Sequence, residues 1–237
     1  MTDPWRDALV PGLGVAQTGA DARAVRVVPE DADAVARAVA WASARGDAWR
    51  VVDGRRDPVP GLLQIDLSTL TGLVSVDEIS RVAHFRAGTT WGDAELALRH
   101  RGLTLGPMPA WLADRSMARS FALDDRLRPS PRFGQLTESA LALRAALPRG
   151  ALTRATVSPR RATGPDLPRC VFGTGDRAGV VVDLHVQVWA SPVAATHAAA
   201  RFTGWDAAHT GAVAALRAGV RPAWWCARKR GRGVTLY

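Results

Sequence analysis

Apolar positions recur in short blocks along the chain, and the spacing within a block predicts its element. Arg26-Val27-Val28-Pro29 predicts a short strand. Glu30-Asp31 then opens a helix, because acidic residues in a first turn suit the positive end of the helix dipole. Val35, Ala38, Val39 and Ala42 form an apolar stripe at helical spacing, running to about Arg45, and Gly46 stops the helix. Trp49 to Val52 predicts a second strand and completes a β-α-β unit. Leu62 to Leu67 predicts a third strand. Gly72 to Val76 and Arg81 to Ala87 alternate around Asp77-Glu78, the pattern of an antiparallel hairpin with one wet face. Trp91, Ala94 and Leu98 share one face of a helix that reaches about Arg101 and is capped by Gly102, with a short strand at Leu103 to Leu105.

Beyond Gly106 the periodicity weakens. Ser116 is a candidate cap for a helix extending to Leu127. Ser139 to Leu147 fits a strand or a short helix, Leu152 to Thr156 a strand, and the β-branched run after Gly179 a strand ending at Trp189. The alanine-rich stretch from His197 to Arg217 predicts a helix broken near Gly204. Residues 1–24 form an entry segment with little periodicity and room for a short helix.

The chain has 237 residues, 47% of them hydrophobic, enough for one large domain or two small ones. No run approaches the roughly 18 unbroken apolar residues of a membrane span. The first residues lack a basic start followed by an apolar segment, so no secretory signal is expected and the cytoplasm is the expected location. Cys170 and Cys226 are too few for a disulfide framework or a zinc site, and the five histidines show no metal-ligand spacing. The formal charge is +9, yet Lys229 is the only lysine among the 31 basic residues. The one dense cluster, Arg228-Lys229-Arg230-Gly231-Arg232, reads as a solvated tail, and no aromatic-interleaved basic motif points to nucleic acid.

Candidate chemistry concentrates in three places. Asp53-Gly54-Arg55-Arg56-Asp57 follows the second strand, and ligands of open α/β sheets gather at the carboxyl ends of strands; a plain surface loop fits the same residues. Arg115, Arg119, Arg126, Arg128 and Arg132 put positive charge in the irregular region, suited to a pyrophosphate or to a solvated helix face. The Gly173 to Gly179 turn feeds a strand, where glycines permit close backbone approach to an anion or simply join two strands.

The order of the pieces resembles the PCMH-type FAD-binding domain of the FAD-linked oxidases, a group that includes alkyl-dihydroxyacetonephosphate synthases and glycolate or D-lactate oxidases. The matching stretches are Val28-Pro29-Glu30-Asp31, Asp66-Leu67-Ser68, Val74-Ser75-Val76-Asp77, Ala87-Gly88-Thr89-Thr90, Arg101 to Gly106, Arg132-Phe133-Gly134, Leu147-Pro148-Arg149-Gly150 and Thr163-Gly164-Pro165-Asp166-Leu167. The resemblance implies an α+β fold of two subdomains, about residues 1–70 and 71–190. The first would hold a small βαβ sheet and the second a larger antiparallel or mixed sheet flanked by helices. Residues 191–237 would be a short remnant of a cap domain. It also implies FAD held non-covalently between the subdomains, at Asp53, Gly54, Arg55, Pro109, Ser116, Met117, Ala118, Arg119, Arg132, Gly179 and Val180.

Three departures bear on function. The first phosphate loop lacks the family's glycine triplet. Ala118 and Arg119 stand at the two glycines of the second. Asp53 and Asp57 bring negative charge towards a phosphate, which repels at short range. No catalytic acid, base or nucleophile of the family maps onto this chain, and the first loop has no histidine for a covalent flavin link. Two readings follow. One is an FAD-binding protein related to oxidoreductases of 2-hydroxy acids or alkyl-glycerone phosphate, working as a subunit of a larger enzyme whose partner supplies the substrate site. The other is a non-catalytic scaffold that has lost FAD.

Overall fold

The computed structural model describes residues 13–18, 25–53, 59, 61–123, 130, 132–134, 136–154, 156–157, 170–231 and 233–236. Two separate four-stranded sheets make up most of it. The first contains β1 (Leu13–Thr18), β2 (Val25–Pro29), β3 (Ala48–Val52) and β4 (Leu62–Asp66) in the order β1-β2-β4-β3. β2, β4 and β3 run parallel, and β1 lies antiparallel on the outer edge of β2. β1 is a strand in the stretch read as an entry segment with room for a short helix.

Between β2 and β3 runs helix α1 (Ala32–Arg45). It forms where the sequence predicts because both ends are capped. The Asp31 carboxylate accepts the Ala34 N–H at 2.6 Å, and Gly46, at φ 73°, turns its own N–H back onto the last carbonyls. The predicted stripe is fully buried against the sheet. A charged pair, Arg26 with Asp66, is buried between neighbouring strands, and Asp66 also accepts the Ser68 N–H at 2.9 Å.

The second sheet is antiparallel throughout, in the order β5-β6-β9-β8: β5 (Leu73–Asp77), β6 (Val82–Arg86), β8 (Ala140–Ala146) and β9 (Val180–Gln187). Phe85, Leu184 and Val186 belong to the core with Trp91 of helix α2 (Trp91–Arg99) and Phe121 of helix α3 (Met117–Ala122). Trp91 donates its indole N–H to Ser120 Oγ at 2.9 Å, so its one polar atom is satisfied inside the core. A two-stranded pair, β7 (Leu103–Thr104) with β10 (Trp189–Ala190), extends the fold beyond α2. A short helix, α4 (Leu136–Ser139), leads into β8.

The segment after β6 meets the segment after β4 through backbone at Gly88. A Cβ there would lie 1.9 Å from the Leu67 carbonyl oxygen, and the Gly88 N–H donates to Leu70 at 2.9 Å. Only glycine fits that contact.

Several expectations are corrected. α3 begins at the predicted Ser116 cap but ends at Ala122 rather than Leu127. Leu152 forms a single bridge with Ala146 instead of opening a strand. The region from His197 to Arg217 is not one broken helix. Ala200–Phe202 is strand β11, and helix α5 covers Trp205–Arg217. The basic cluster is not a tail: β12 (Ala227–Arg230) pairs with β13 (Gly233–Leu236), which lies between β12 and β11. β11 is only three residues long, and its pairing with β13 fixes it as a strand.

Candidate functional site

The parallel strands place the end of β3 beside the start of α3. Ser116 caps α3 by accepting the Arg119 N–H at 3.3 Å, and its own hydroxyl donates to Asp53 Oδ1 at 2.5 Å. The Arg119 guanidinium donates to the Val51 carbonyl at 2.8 Å, and its Nε stands 3.8 Å from Asp53 Oδ2. Asp53, Ser116 and Arg119, predicted from separate segments, therefore meet at one point.

The other predicted residues scatter around it. Met117 and Ala118 are buried, and their N–H groups donate to the Thr89 and Ala87 carbonyls at 2.9 and 2.8 Å. Pro109 is half-buried ahead of a short 3-10 turn, Ala110–Leu112. Arg132 is exposed and lies over the Phe133 ring, 5.4 Å from its centroid. Val180 is buried at the start of β9. Gly179, at φ 154°, is held within contact of β8, where a Cβ would lie 2.8 Å from the Ala146 carbonyl oxygen. Gly54, Arg55, the rest of the first loop and the Thr163 to Leu167 segment lie outside the described residues.

The glycine turn packs against α3. Gly173 and Gly175 donate their N–H groups to the Phe121 and Ala122 carbonyls at 3.0 and 2.8 Å, closing the carboxyl end of the helix. The Arg177 and Gly179 N–H groups are engaged within the turn itself. The turn therefore acts first as a helix cap.

Asp176 of this turn went unread in the sequence. It is buried and adopts φ 70°, a left-handed conformation that Asp and Asn tolerate better than most residues. Its carboxylate accepts the Val51 N–H at 2.9 Å, and its carbonyl accepts the Trp49 indole N–H at 2.8 Å. The turn is thereby bound to the free edge of β3. Burial pushes the Asp176 pKa up to about 6, against the lowering effects of the Val51 N–H, Arg119 and Arg50.

Between β3 on one side and α3 with the glycine turn on the other lies a crevice of about 610 Å³. Trp49, Arg50, Arg119, Thr174 and Arg177 line it. Arg50 and Arg177 are exposed, and the Arg50 charge acts on the nearby Asp176.

The comparisons with known proteins agree with this architecture. The family described as FAD binding domain matches residues 23–156. Two relatives, each named uncharacterized FAD-linked oxidoreductase YgcU, come from Escherichia coli strain K12 and E. coli O157:H7. Each is 25% identical over 136 residues, which are 57% of this chain and 28% of the relative. Solved structures of alkyldihydroxyacetonephosphate synthase in two crystal forms superpose with TM-scores of 0.70 and 0.71 at 19% and 18% identity. They cover 84% and 85% of this chain but only 37% and 39% of their own length.

The chain belongs to the FAD binding domain family, with the PCMH-type α+β fold of the FAD-linked oxidases, and FAD is the cofactor that membership assigns. It spans under a third of the curated relatives.

The described walls fit FAD by charge. Arg50, Arg119 and Arg177 line the crevice between β3 and the glycine turn, and guanidinium groups bind phosphates through charge-assisted hydrogen bonds; of the described residues at which FAD is expected, Arg119 alone lines it. Asp53, held by Ser116 beyond the end of β3, does not line this crevice. Among the described residues no group of three or more His, Cys, Asp or Glu could hold a metal, and no helix is long and apolar enough to cross a membrane.

Proposed function

We propose that this chain is the flavin lobe of an FAD-linked oxidoreductase. It would work in the cytoplasm, on a 2-hydroxy acid or an alkyl-glycerone phosphate, with a second domain or partner subunit supplying the substrate site. The observation that carries this reading is the arginine-lined crevice between β3 and the glycine turn, in a chain whose family is defined by FAD. Arg50 and Arg177 would neutralise the pyrophosphate, and Arg119 would hold the end of β3 in place through Val51. The bound flavin would supply the redox chemistry. The protein would orient the cofactor and shield one side of it from water. On this reading residues 191–237, with β11, α5, β12 and β13, correspond to part of a cap domain.

A second reading, a non-catalytic scaffold without FAD, draws support from Asp53 and Arg119. The Arg119 guanidinium is already engaged by Val51 and Asp53, and the Asp53 charge opposes a phosphate. Colour separates the two readings. A flavin-holding protein is purified yellow, absorbing near about 450 nm, and releases intact FAD on acid precipitation. A colourless protein whose melting temperature does not rise with added FAD supports the scaffold, because a ligand that binds only the folded state raises apparent stability.

A further inference from the structure

A second and larger crevice, of about 730 Å³, opens between the amino end of α1 and the face of the antiparallel sheet that points away from α2. None of the residues at which FAD is expected lines it. Its floor is a pair of histidines. His84 of β6 and His185 of β9 are directly opposite each other in the strand register and stack with ring centroids 4.1 Å apart and planes 11° apart. His84 Nε2 and His185 Nδ1 are buried with no hydrogen-bond partner, and the nearest carboxylate oxygen, Asp183 Oδ1, is 3.6 Å from His84 Nε2. That separation is too long for a hydrogen bond.

The charges around the pair are lopsided. Arg86 of β6, Arg144 of β8 and Arg154 face the crevice, opposed by Asp31 and Asp183. Asp183 is bound by Arg144, whose Nε donates to Oδ2 at 2.6 Å. Asp31 is occupied as the cap of α1. Arg86 and Arg154 are left without an acidic partner among the described residues. Two free guanidinium groups and two partly buried imidazoles thus converge on a space large enough for a small molecule.

We propose that this crevice binds the oxyanion group, phosphate or carboxylate, of a small metabolite, with Arg86 and Arg154 as its charged donors and the stacked histidines as its floor. The site is independent of the flavin reading, since it shares no residue with the crevice assigned to FAD. Burial, and then the neighbouring His84, hold the His185 pKa below the ordinary histidine value, with Asp183 acting in the opposite direction. An anion in the crevice would favour the protonated rings. Binding should therefore draw in a proton and tighten as the pH falls through the histidine range.

The test is a titration of the full chain, with ¹⁵N-labelled histidine, against inorganic phosphate and separately against malonate, with and without added FAD. The expected result is saturable movement of the His84 and His185 ring signals with at least one of the two anions, whether or not FAD is present. Phosphate alone would mark a phosphate ester as the ligand class and malonate alone a carboxylate. Replacing Arg86→Gln and Arg154→Gln together should weaken binding about ten-fold or more, while Arg217→Gln on α5 leaves it unchanged. Sulfate, which stays fully charged through the histidine range, should bind more tightly at the lower pH. Absence of saturable movement with both anions, or equal binding by the double variant, would overturn the proposal.

Discussion

The antiparallel sheet and its helices meet the parallel sheet on two sides, and the two contacts differ in how their polar groups are used. Beside β3, the buried groups have partners, while Arg50 and Arg177 are exposed at the crevice mouth. Asp176 holds Val51 and Trp49, Arg119 holds Val51 and faces Asp53, and the glycine turn caps α3. Beside the start of α1, two arginines and two histidine nitrogens have none among the described residues. Buried polar groups are nearly always paired, so the two unpaired histidine nitrogens set this cavity apart, while Arg86 and Arg154 are exposed at its rim. The first contact is a joint with a cationic crevice on its outer side; the second is an open cradle.

The severest way to break this comparison is at Gly88, where the lobes touch through backbone. Gly88→Ala should cost on the order of 4 kcal/mol, read as a lowered urea midpoint, because the added Cβ collides with the Leu67 carbonyl. A cost below about 1 kcal/mol would mean the lobes separate easily and neither crevice has a fixed width.

Asp176 tests the joint more gently. Its pKa is higher in the folded chain, about 6, than the ordinary 3.8, so the folded state binds the proton more tightly. That costs stability above about pH 6 and costs nothing below the unfolded value. Asp176→Asn keeps an acceptor for the Val51 N–H and suits the left-handed backbone. It should raise stability at pH 8 by about 3 kcal/mol, at about 1.4 kcal/mol per pKa unit for the rise from 3.8 to about 6. The gain should shrink as the pH falls through about 6 and vanish below about 4. Thermal melts across that range read it directly, and a gain that grows towards acid would contradict the burial account.

Two further changes sharpen the cofactor side. Arg50→Gln with Arg177→Gln should weaken FAD about ten-fold, through lost charge neutralisation of the pyrophosphate. Asp53→Asn should act in the opposite direction and less strongly, tightening FAD by a factor of about three, since a partly solvated repulsion is worth under about 1 kcal/mol. Flavin fluorescence titration measures both.

Much of this fold was legible from local pattern. α1 shows its stripe and both caps, and the hairpin of β5 and β6 shows its alternation. What escaped depends on partners far along the chain. β11 is three residues at the end of an alanine run, too short for a pattern, and is a strand because β13 pairs with it. Asp176 looks like one polar residue in a glycine turn until Val51, 125 positions earlier, is placed against it. The meeting of Asp53, Ser116 and Arg119 was foreseen through the family resemblance. The histidine pair was not, because His84 and His185 each read as ordinary alternating strand positions, and only the register of β6 with β9 sets them face to face.

The most direct test of the central claim is equilibrium binding of FAD to the purified chain, followed by flavin fluorescence and by melting temperature in parallel. The account predicts saturable non-covalent binding, a melting temperature that climbs with FAD concentration, and both responses moved to about ten-fold higher FAD in the Arg50→Gln, Arg177→Gln variant. A chain that melts at the same temperature at every FAD concentration, or a variant that binds FAD as tightly as the parent, would contradict it.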